Sequence, residues 1–287
     1  MDTRIPRVSI AAVIGADSLG GAIAHKLAAR DRFTEIRLID AAAGIAAGKA
    51  LDIQQAAAIE SFHTRVSAHC DLGAVAGASV VVLTRPVAGA RGDDMDLMAL
   101  SHVAVFNRRA VIVCADPAHR SIVRRGVAEL SVPRRRLIGS APAAYQSALK
   151  AIVGVELRCS ASEVSVAVLG TPPQHLVIPW SAATARGYPL SSQLSPSRLG
   201  RLQARAPRAW PPGPYAGASA TARICEAVAG GSGMKGLSVF YALDGEFDAR
   251  GTSAAVTVEL GTAGVTRVLE PSLTVQERVQ LETALLA

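Results

Sequence analysis

The chain has 287 residues, half of them hydrophobic and only 18% charged, with a formal net charge of +7. This length suits one large domain or two modest ones that share an interface, and the apolar content allows a substantial core. No stretch approaches the ~20 continuous apolar residues of a membrane span, and the N-terminal sequence lacks a signal-peptide core. We therefore expect neither a membrane protein nor an exported one.

Cysteine usage and the excess of arginine narrow the function classes further. The cysteines are far apart and form no CxxC pair: Cys70, Cys114, Cys159 and Cys225. This pattern fits a reducing compartment, the cytoplasm, and argues against a disulfide scaffold or a metal site.

Two short arginine clusters, at 124–125 and 134–136, could attract an anionic partner. No aromatic residues interleave with them for base stacking, so a solvated basic face is favoured over nucleic-acid binding.

The first predicted unit is a strand, a glycine-rich turn, a helix and a second strand. The apolar run Val8–Ile14 predicts the first strand, and the turn at 15–21 leads into a helix-forming segment. The second strand, Glu35–Ile39, is closed by Asp40. That aspartate lies about 20 residues beyond Gly20, where the ribose-binding carboxylate of a dinucleotide site belongs.

The alternation of helices and apolar strands continues as far as Gly139. The further predicted elements are a helix at Gly48–Glu60, strands at Thr64–Ala68 and Ala78–Thr84, a helix at Asp93–Phe106, a strand at Ala110–Cys114, a helix at Ser121–Leu130 and a strand at Arg136–Ile138. Continuous apolar strands between helices indicate a parallel sheet covered on both faces. We predict an α/β protein with a Rossmann-type, doubly wound dinucleotide-binding domain over residues 1–139.

The second half predicts an α+β domain over residues 140–287, built on antiparallel strands. Its predicted helices are Ala143–Val153, Ser181–Arg186, Ser197–Arg205 and a segment from about Tyr215, and its predicted strands are Val164–Leu169, Leu237–Ala242, Ala254–Leu260 and Gly264–Val268. No motif in this half carries independent chemistry, so its role has to be inferred from the first half and from resemblance.

Ligands of doubly wound sheets bind at the carboxyl ends of the strands. The candidate cofactor residues are therefore Gly15, Asp17, Ser18, Leu19, Gly20, Asp40, Thr84 and Asp116. The dinucleotide fingerprint requires glycine at position 17, where backbone approaches the pyrophosphate. Asp17 instead brings a side chain and a negative charge to a helix N-terminus that would bind an anion. It either obstructs the cofactor or caps the helix, and the sequence leaves both interpretations open.

Several motifs resemble the malate and lactate dehydrogenase family over nearly the whole chain. The strongest is Gly48 to Asp52, GKALD, which follows the aspartate of the second strand after a short spacer. Others are VVVLT before an arginine-bearing loop, Asp116-Pro117 after a strand, RLIGS at 136–140, LDGEFDARG at 243–251 and SLTVQERVQLETAL at 272–285. The last motif opens with a capping box, in which Thr274 is followed by Glu277.

The resemblance implies reversible hydride transfer between a nicotinamide and a 2-hydroxy acid. The family uses a proton-exchanging histidine, an aspartate that orients it, arginines that clamp the substrate carboxylate and an asparagine near the nicotinamide. It also implies a homo-oligomer, a two-fold dimer or tetramer, with the GKALD helix in a subunit interface. Asp40 favours NAD over NADP because a carboxylate repels a 2′-phosphate.

Four family positions carry other residues in this chain. Pro172 stands in place of the histidine, Tyr145 in place of the aspartate, Ala148 in place of the carboxylate-binding arginine, and Asp116 in place of the asparagine. Proline can neither accept nor donate a proton. Lys150 is close in sequence but faces elsewhere along a helix. These departures predict a relative without the family's activity and with weak NAD binding.

Four residues could still rebuild a site: Arg85, Arg91, His175 and Tyr145. Arg85 and Arg91 keep the spacing of the family's loop arginines and are candidates for carboxylate binding, or else two exposed loop arginines. His175, three residues after Pro172, is a candidate substitute base or an ordinary loop histidine. The second hypothesis is accordingly an active NAD-dependent oxidoreductase that uses one or more of these residues. No metal is implied by either hypothesis.

Overall fold

The structure, a computed structural model, describes residues 9–87, 92–230 and 233–286. Its strands are β1 Ile10–Ile14, β2 Glu35–Ile39, β3 Arg65–His69, β4 Ala78–Leu83, β5 Val111–Cys114, β6 Leu137–Gly139, β7 Val164–Ser165, β8 Leu169–Thr171, β9 His175–Val177, β10 Thr184–Ala185, β11 Tyr188–Pro189, β12 Met234–Asp244, β13 Arg250–Gly261 and β14 Gly264–Leu269. Its helices are α1 Ser18–Ala29, α2 Ala43–Glu60, α3 Asp93–Phe106, α4 Arg120–Ala128, α5 Ala141–Leu157, α6 Leu190–Gln193, α7 Pro196–Arg205, α8 Pro214–Gly230 and α9 Val275–Leu286.

The first half forms the predicted parallel sheet in the order β3-β2-β1-β4-β5-β6. Strand β1 lies between β2 and β4, and Ile14 is in register with both Ile39 and Leu83. The carboxyl ends of these three strands therefore end at one edge, which brings Gly15, Asp40 and Thr84 together. The prediction of a doubly wound α/β domain is confirmed; Val8, the first residue of the predicted first strand, lies outside the described residues.

Helices cover both faces of this sheet, as the continuous apolar strands require. Buried side chains of α1, α2 and α8 pack on one face, and those of α3, α4 and α5 pack on the other. Helix α2 begins at Ala43 rather than at the predicted Gly48, because the alanines before Gly48 are strong helix formers. Among the described residues no helix is long and apolar enough to cross a membrane.

The second half extends the same sheet with antiparallel strands. The long hairpin of β12 and β13 joins the parallel half where Phe240 of β12 pairs with Gly139 of β6. A Cβ atom at Gly139 would lie 2.7 Å from Cβ of Phe240, so only glycine allows this approach. The predicted antiparallel strands at 237–242, 254–260 and 264–268 are confirmed.

Two predicted elements of the second half are wrong. The expected strand Val164–Leu169 is split into β7 and β8, because side chains replace its ladder: Gln146 donates to the Val166 carbonyl, and the Val168 amide donates to Ser238 Oγ. The expected helix Ser181–Arg186 is a turn followed by β10, which pairs with both β7 and β11. There the alanine-rich sequence favours helix, and pairing outweighs propensity.

Candidate functional site

Asp40 lies at the centre of the strand-end cleft and is 4% exposed. Its Oδ2 accepts hydrogen bonds from the amides of Ala16 at 2.7 Å and Val87 at 3.0 Å. Its Oδ1 accepts from the Ala42 amide at 2.9 Å. One buried carboxylate thus connects the glycine-rich turn, the start of α2 and the segment that follows β4. The resemblance assigned these oxygens to a ribose, but here backbone amides use both of them.

Asp17 is the N-cap of α1. Its Oδ1 accepts from the Gly20 amide at 2.7 Å, and its backbone is extended, with φ −68° and ψ −168°. The Nζ of Lys49, on α2, donates to the Asp17 carbonyl at 2.9 Å. The capping interpretation of Asp17 is therefore realised in the structure, and the carboxylate stands at the helix end where a phosphate would otherwise bind.

The glycine turn is packed tightly against the end of β4. Gly15 has φ +96°, and a Cβ at Gly20 would lie 2.0 Å from the Gly15 carbonyl oxygen. Thr84 Oγ1 donates to the carbonyls of Ile14 and Gly15 at 2.8 and 3.0 Å. Both glycines are required for close backbone packing, and the Thr84 hydroxyl is already used inside the turn.

The two remaining turn candidates point in different directions. Leu19 is buried and packs beneath α8, where its Cδ1 lies 3.1 Å from the position of a Cβ on Gly217. Ser18 is exposed and borders a groove of about 320 Å³ between α1 and α2, shared with His25 and Lys49. Of the two, only Ser18 presents a polar group to solvent.

Arg85 and Asp116 form one ion pair between the ends of β4 and β5. Arg85 Nε lies 2.7 Å from Asp116 Oδ2, and Arg85 Nη2 donates to Asp116 Oδ1 at 3.0 Å. The Ala118 amide also donates to Oδ1, at 2.8 Å. Arg85, the candidate for substrate-carboxylate binding, and Asp116, the candidate for cofactor binding, are therefore bound to each other. Arg91, the other predicted arginine, lies outside the described residues.

His175 is an exposed residue of β9, paired with Thr171 across a hairpin. Pro172, at the family histidine position, is buried in that hairpin. Four strands, β6, β12, β13 and β8, separate β9 from β5 in the sheet. No hydrogen bond or ion pair among the described residues connects His175 to Arg85 or Asp116. The prediction of a loop histidine is wrong in detail, because His175 is the first residue of a strand that pairs with β8.

The family's aspartate and arginine positions lie on α5 and face the core. Tyr145 is fully buried, donates its hydroxyl to the Ala206 carbonyl at 2.9 Å and contacts the Trp210 ring edge-on. Burial raises the pKa of the Tyr145 phenol, so it is a poor proton donor or acceptor. Burial also lowers the pKa of Lys150, one turn after Gln146. Ala148 is half-buried and carries no polar group.

Sequence reasoning missed a buried pair beside this cleft, His119 and Asp96. His119, the residue before α4, is 1% exposed, and its Nε2 lies 3.2 Å from Asp96 Oδ2. The ring is turned so that this contact does not meet hydrogen-bond geometry, and Nδ1 has no partner among the described residues. Burial, followed by the nearby Asp96 carboxylate, raises the pKa of the Cys114 thiol. The only sequence clue was a histidine three residues after the strand-end aspartate.

Within the described ranges, no three His, Cys, Asp or Glu side chains are grouped so that they could hold a metal ion.

Ser140 and Thr221 form another buried polar contact that the sequence did not reveal, with their hydroxyl oxygens 2.7 Å apart. This contact ties the start of α5 to α8 directly behind the cleft.

Comparison with known proteins agrees with these motifs and this fold. No protein-family model matches the chain. A malate dehydrogenase from Dehalococcoides mccartyi is 27% identical over an alignment that covers 98% of this chain and 96% of that protein. A malate dehydrogenase from Thioalkalivibrio sulfidiphilus is 28% identical, with 96% and 95% covered.

Two solved structures share the architecture from end to end. Malate dehydrogenase from Salinibacter ruber superposes with a TM-score of 0.87 at 24% identity, over 96% of this chain and 93% of that one. Lactate dehydrogenase from Cryptosporidium parvum superposes with a TM-score of 0.89 at 23% identity, over 98% and 96%. The GKALD helix, the strand-end aspartate, the full-length relatives and the fold all agree, so the chain is similar to malate dehydrogenases along its whole length and has the fold of malate and lactate dehydrogenases.

Proposed function

We propose that this protein is a cytoplasmic malate/lactate dehydrogenase-like protein that has lost the family's hydride-transfer reaction. One observation carries the proposal: the positions of the family's proton relay are occupied by buried residues that cannot relay a proton. Pro172 is buried in a hairpin, and Tyr145 is a fully buried core residue. Ala148 removes the carboxylate clamp on the same helix.

The size of the loss follows from how such residues act. A positioned proton-transfer group typically contributes ~10²–10⁴-fold to the rate, and substrate positioning contributes separately. Because these residues act as a unit, losing one removes most of the effect of the others. We therefore expect that restoring any single family residue leaves the protein inactive.

The cleft also fits NAD poorly, and we propose that NAD binds weakly. Asp17 places a carboxylate at the N-terminus of α1, where it opposes a pyrophosphate. Asp40 accepts from the amides of Ala16, Ala42 and Val87, so a ribose hydroxyl would have to compete with bonds already made.

A second candidate is an active NAD-dependent oxidoreductase on a small 2-hydroxy or 2-oxo acid with a rebuilt site. The observation that favours it is the Arg85–Asp116 ion pair, which keeps a guanidinium at the cleft. His175, being exposed, would be its acid or base. Arg91 would complete a carboxylate clamp.

We also propose that the protein is a homo-oligomer built on a two-fold dimer through α2. The outer face of this helix exposes Ile45, Leu51 and Ile59. It is otherwise rich in alanine, which permits close helix packing. Several exposed large apolar side chains on one helix are typical of a subunit interface.

Nicotinamide absorbance with the purified protein tests the main proposal on malate, lactate, oxaloacetate and pyruvate. We expect no turnover above the protein-free control. Turnover near the ~10 s⁻¹ usual for enzymes would contradict the proposal. In that case the His175→Ala variant tests the second candidate function. If His175 is the relocated acid–base group, its removal must abolish the activity.

A further inference from the structure

A small charged cavity lies between the segment after β4 and the loop that joins β5 to α4. Its volume is about 180 Å³, and its lining is Arg85, Pro86, Gly92, Asp93, Asp96 and Ala118. At roughly 30 Å³ for each water in the liquid, the cavity holds the volume of about six waters. It can take a compact molecule of a few heavy atoms but not a nucleotide.

Asp96 supplies the cavity with a carboxylate that has spare hydrogen-bonding capacity. It is 8% exposed, and its contact with a described residue is the poorly aligned His119 imidazole. Buried carboxylates normally accept several hydrogen bonds. Asp96 lies in the first turn of α3, whose dipole favours its negative charge. The Asp96 carboxylate keeps free acceptor capacity towards the cavity, and the buried His119 ring behind it makes no aligned hydrogen bond, so the pair indicates a site for a small ligand with a donor group.

Arg85 supplies a donor of the opposite charge. Its Nε and Nη2 are bound side-on to Asp116, and Nη1 makes no hydrogen bond or ion pair with a described residue. A guanidinium in this arrangement still offers two N–H donors to a second carboxylate. The cavity thus presents a cationic donor together with the anionic acceptors Asp96 and Asp93.

We propose that this cavity binds a small zwitterion, such as an α-amino acid, with its carboxylate on Arg85 Nη1 and its ammonium on Asp96. Asp93 adds negative charge at the exposed rim, and His119 positions the Asp96 carboxylate from behind. A simple carboxylate would leave Asp96 unpaired, and a simple amine would leave Nη1 unpaired. Sites with buried polar groups reject analogues that cannot pair with them. The proposal concerns binding alone and is independent of the loss of dehydrogenase activity.

Three matched probes test the proposal by calorimetry on the full-length protein: L-alanine, L-lactate and ethylammonium. L-Lactate replaces the ammonium of alanine by a hydroxyl, and ethylammonium lacks the carboxylate. We expect L-alanine to bind at least tenfold more tightly than either analogue. Lactate binding as tightly as alanine, or no alanine binding at millimolar concentration, would overturn the proposal. Nicotinamide turnover is measured separately, so the two proposals can fail independently.

Matched variants locate the site. Asp96→Asn removes the charge with little change of shape and should weaken L-alanine binding at least tenfold. Asp94→Asn is the control, because Asp94 lies in the same turn of α3 but pairs with Arg125 outside the cavity. If Asp96→Asn does not fold, Arg85→Lys provides the second variant, since it keeps the charge but loses the free Nη1. Equal affinities for the Asp96 and Asp94 variants would refute the assignment.

Discussion

Asp17 has two opposed effects at the N-terminus of α1. Its carboxylate satisfies the Gly20 amide, which stabilises the helix, and its charge repels the phosphates that this fold binds at the same place. The Lys49 ammonium nearby donates to the Asp17 carbonyl, so it offsets part of that charge. The balance between these two effects can be measured by separating the cap from the charge.

Asp17→Gly and Asp17→Asn separate them. Asparagine keeps the cap without the charge, whereas glycine removes both and costs only a few tenths of a kcal/mol at an N-cap. We expect no micromolar NAD affinity in the native protein and a gain in both variants by calorimetry. Circular dichroism checks that α1 remains folded. Tight NAD binding by the native chain would show that the carboxylate does not obstruct the cofactor.

For single residues, the sequence predicted the position of a side chain in the fold better than its hydrogen-bond or ion-pair partners. The place of Asp40 at the end of β2 follows from local pattern alone, and the same pattern offered the cap at Asp17 as one of two interpretations. That Val87 would donate to Asp40, or Arg85 pair with Asp116, depends on the path of the segment after β4. That path is set by packing between distant parts of the chain, so no local pattern contains it.

The last helix shows how one side chain can fix an element in place. The Glu277 carboxylate accepts from the Thr274 amide, and the Glu277 amide donates to Thr274 Oγ1, as a capping box requires. The carboxylate also accepts from the Thr274 hydroxyl and from the amide and hydroxyl of Ser181. Burial alone would raise the pKa of Glu277, but the hydrogen bonds from Ser181 and Thr274 outweigh it and hold the pKa below the ordinary value of 4.5. The same carboxylate therefore stabilises a helix start and the turn at 179–183.

Glu277→Gln should lower the free energy of unfolding by roughly 1 kcal/mol, because glutamine keeps the shape of the capping box but replaces charge-assisted hydrogen bonds with weaker neutral ones. Because the folded-state pKa is depressed, this stabilisation is present above pH 4.5 and is lost as the pH falls through the lowered pKa. Urea midpoints at neutral and acidic pH should therefore converge for the two proteins. Glu282→Gln on the same helix is the control, since Glu282 makes no hydrogen bond or ion pair with a described residue. Equal midpoints for both variants at neutral pH would contradict this account.

Element prediction succeeded where local pattern and tertiary pairing agree and failed where they compete. The buried parallel strands and the capping box of α9 are examples of agreement. Residues 181–186 have a helical composition, but Thr184 and Ala185 among them form β10 and pair with β7 and β11. Residues 164–169 have the composition of one strand, but the side chains of Gln146 and Ser238 take the hydrogen bonds of its middle section.

For the molecule as a whole, the exposed apolar face of α2 is the feature that a monomer does not explain. Leu51 is 60% exposed near its middle, and Ile59 is 88% exposed near its end. Exposed leucine and isoleucine side chains are costly in water, and burial stabilises by roughly 25 cal/mol per Å². The partner proposed for this face is a second copy related by a two-fold axis.

Sedimentation at micromolar concentration should accordingly find a dimer or larger oligomer. Leu51→Glu should shift it towards monomer, because a two-fold interface would bury both introduced charges. Val155→Glu is the matched control, since Val155 is 81% exposed on α5, away from α2. A native monomer, or equal dissociation by the two variants, would rule out α2 as the interface.

The junction of β6 with β12 also determines what happens when the polypeptide is divided. Strand β6 ends at Gly139, and its neighbour in the sheet, β12, begins only at Met234, after α5 to α8; between them in the chain, β8 and β9 join the far side of the β12–β13 hairpin. Cleavage between Gly139 and Ser140 would leave each fragment with a bare strand edge, the template for intermolecular pairing. Each fragment carries the strand that covers the open edge of the other. Separate fragments would therefore precipitate, while co-expressed fragments would reassemble. This makes the protein a candidate for split-fragment complementation.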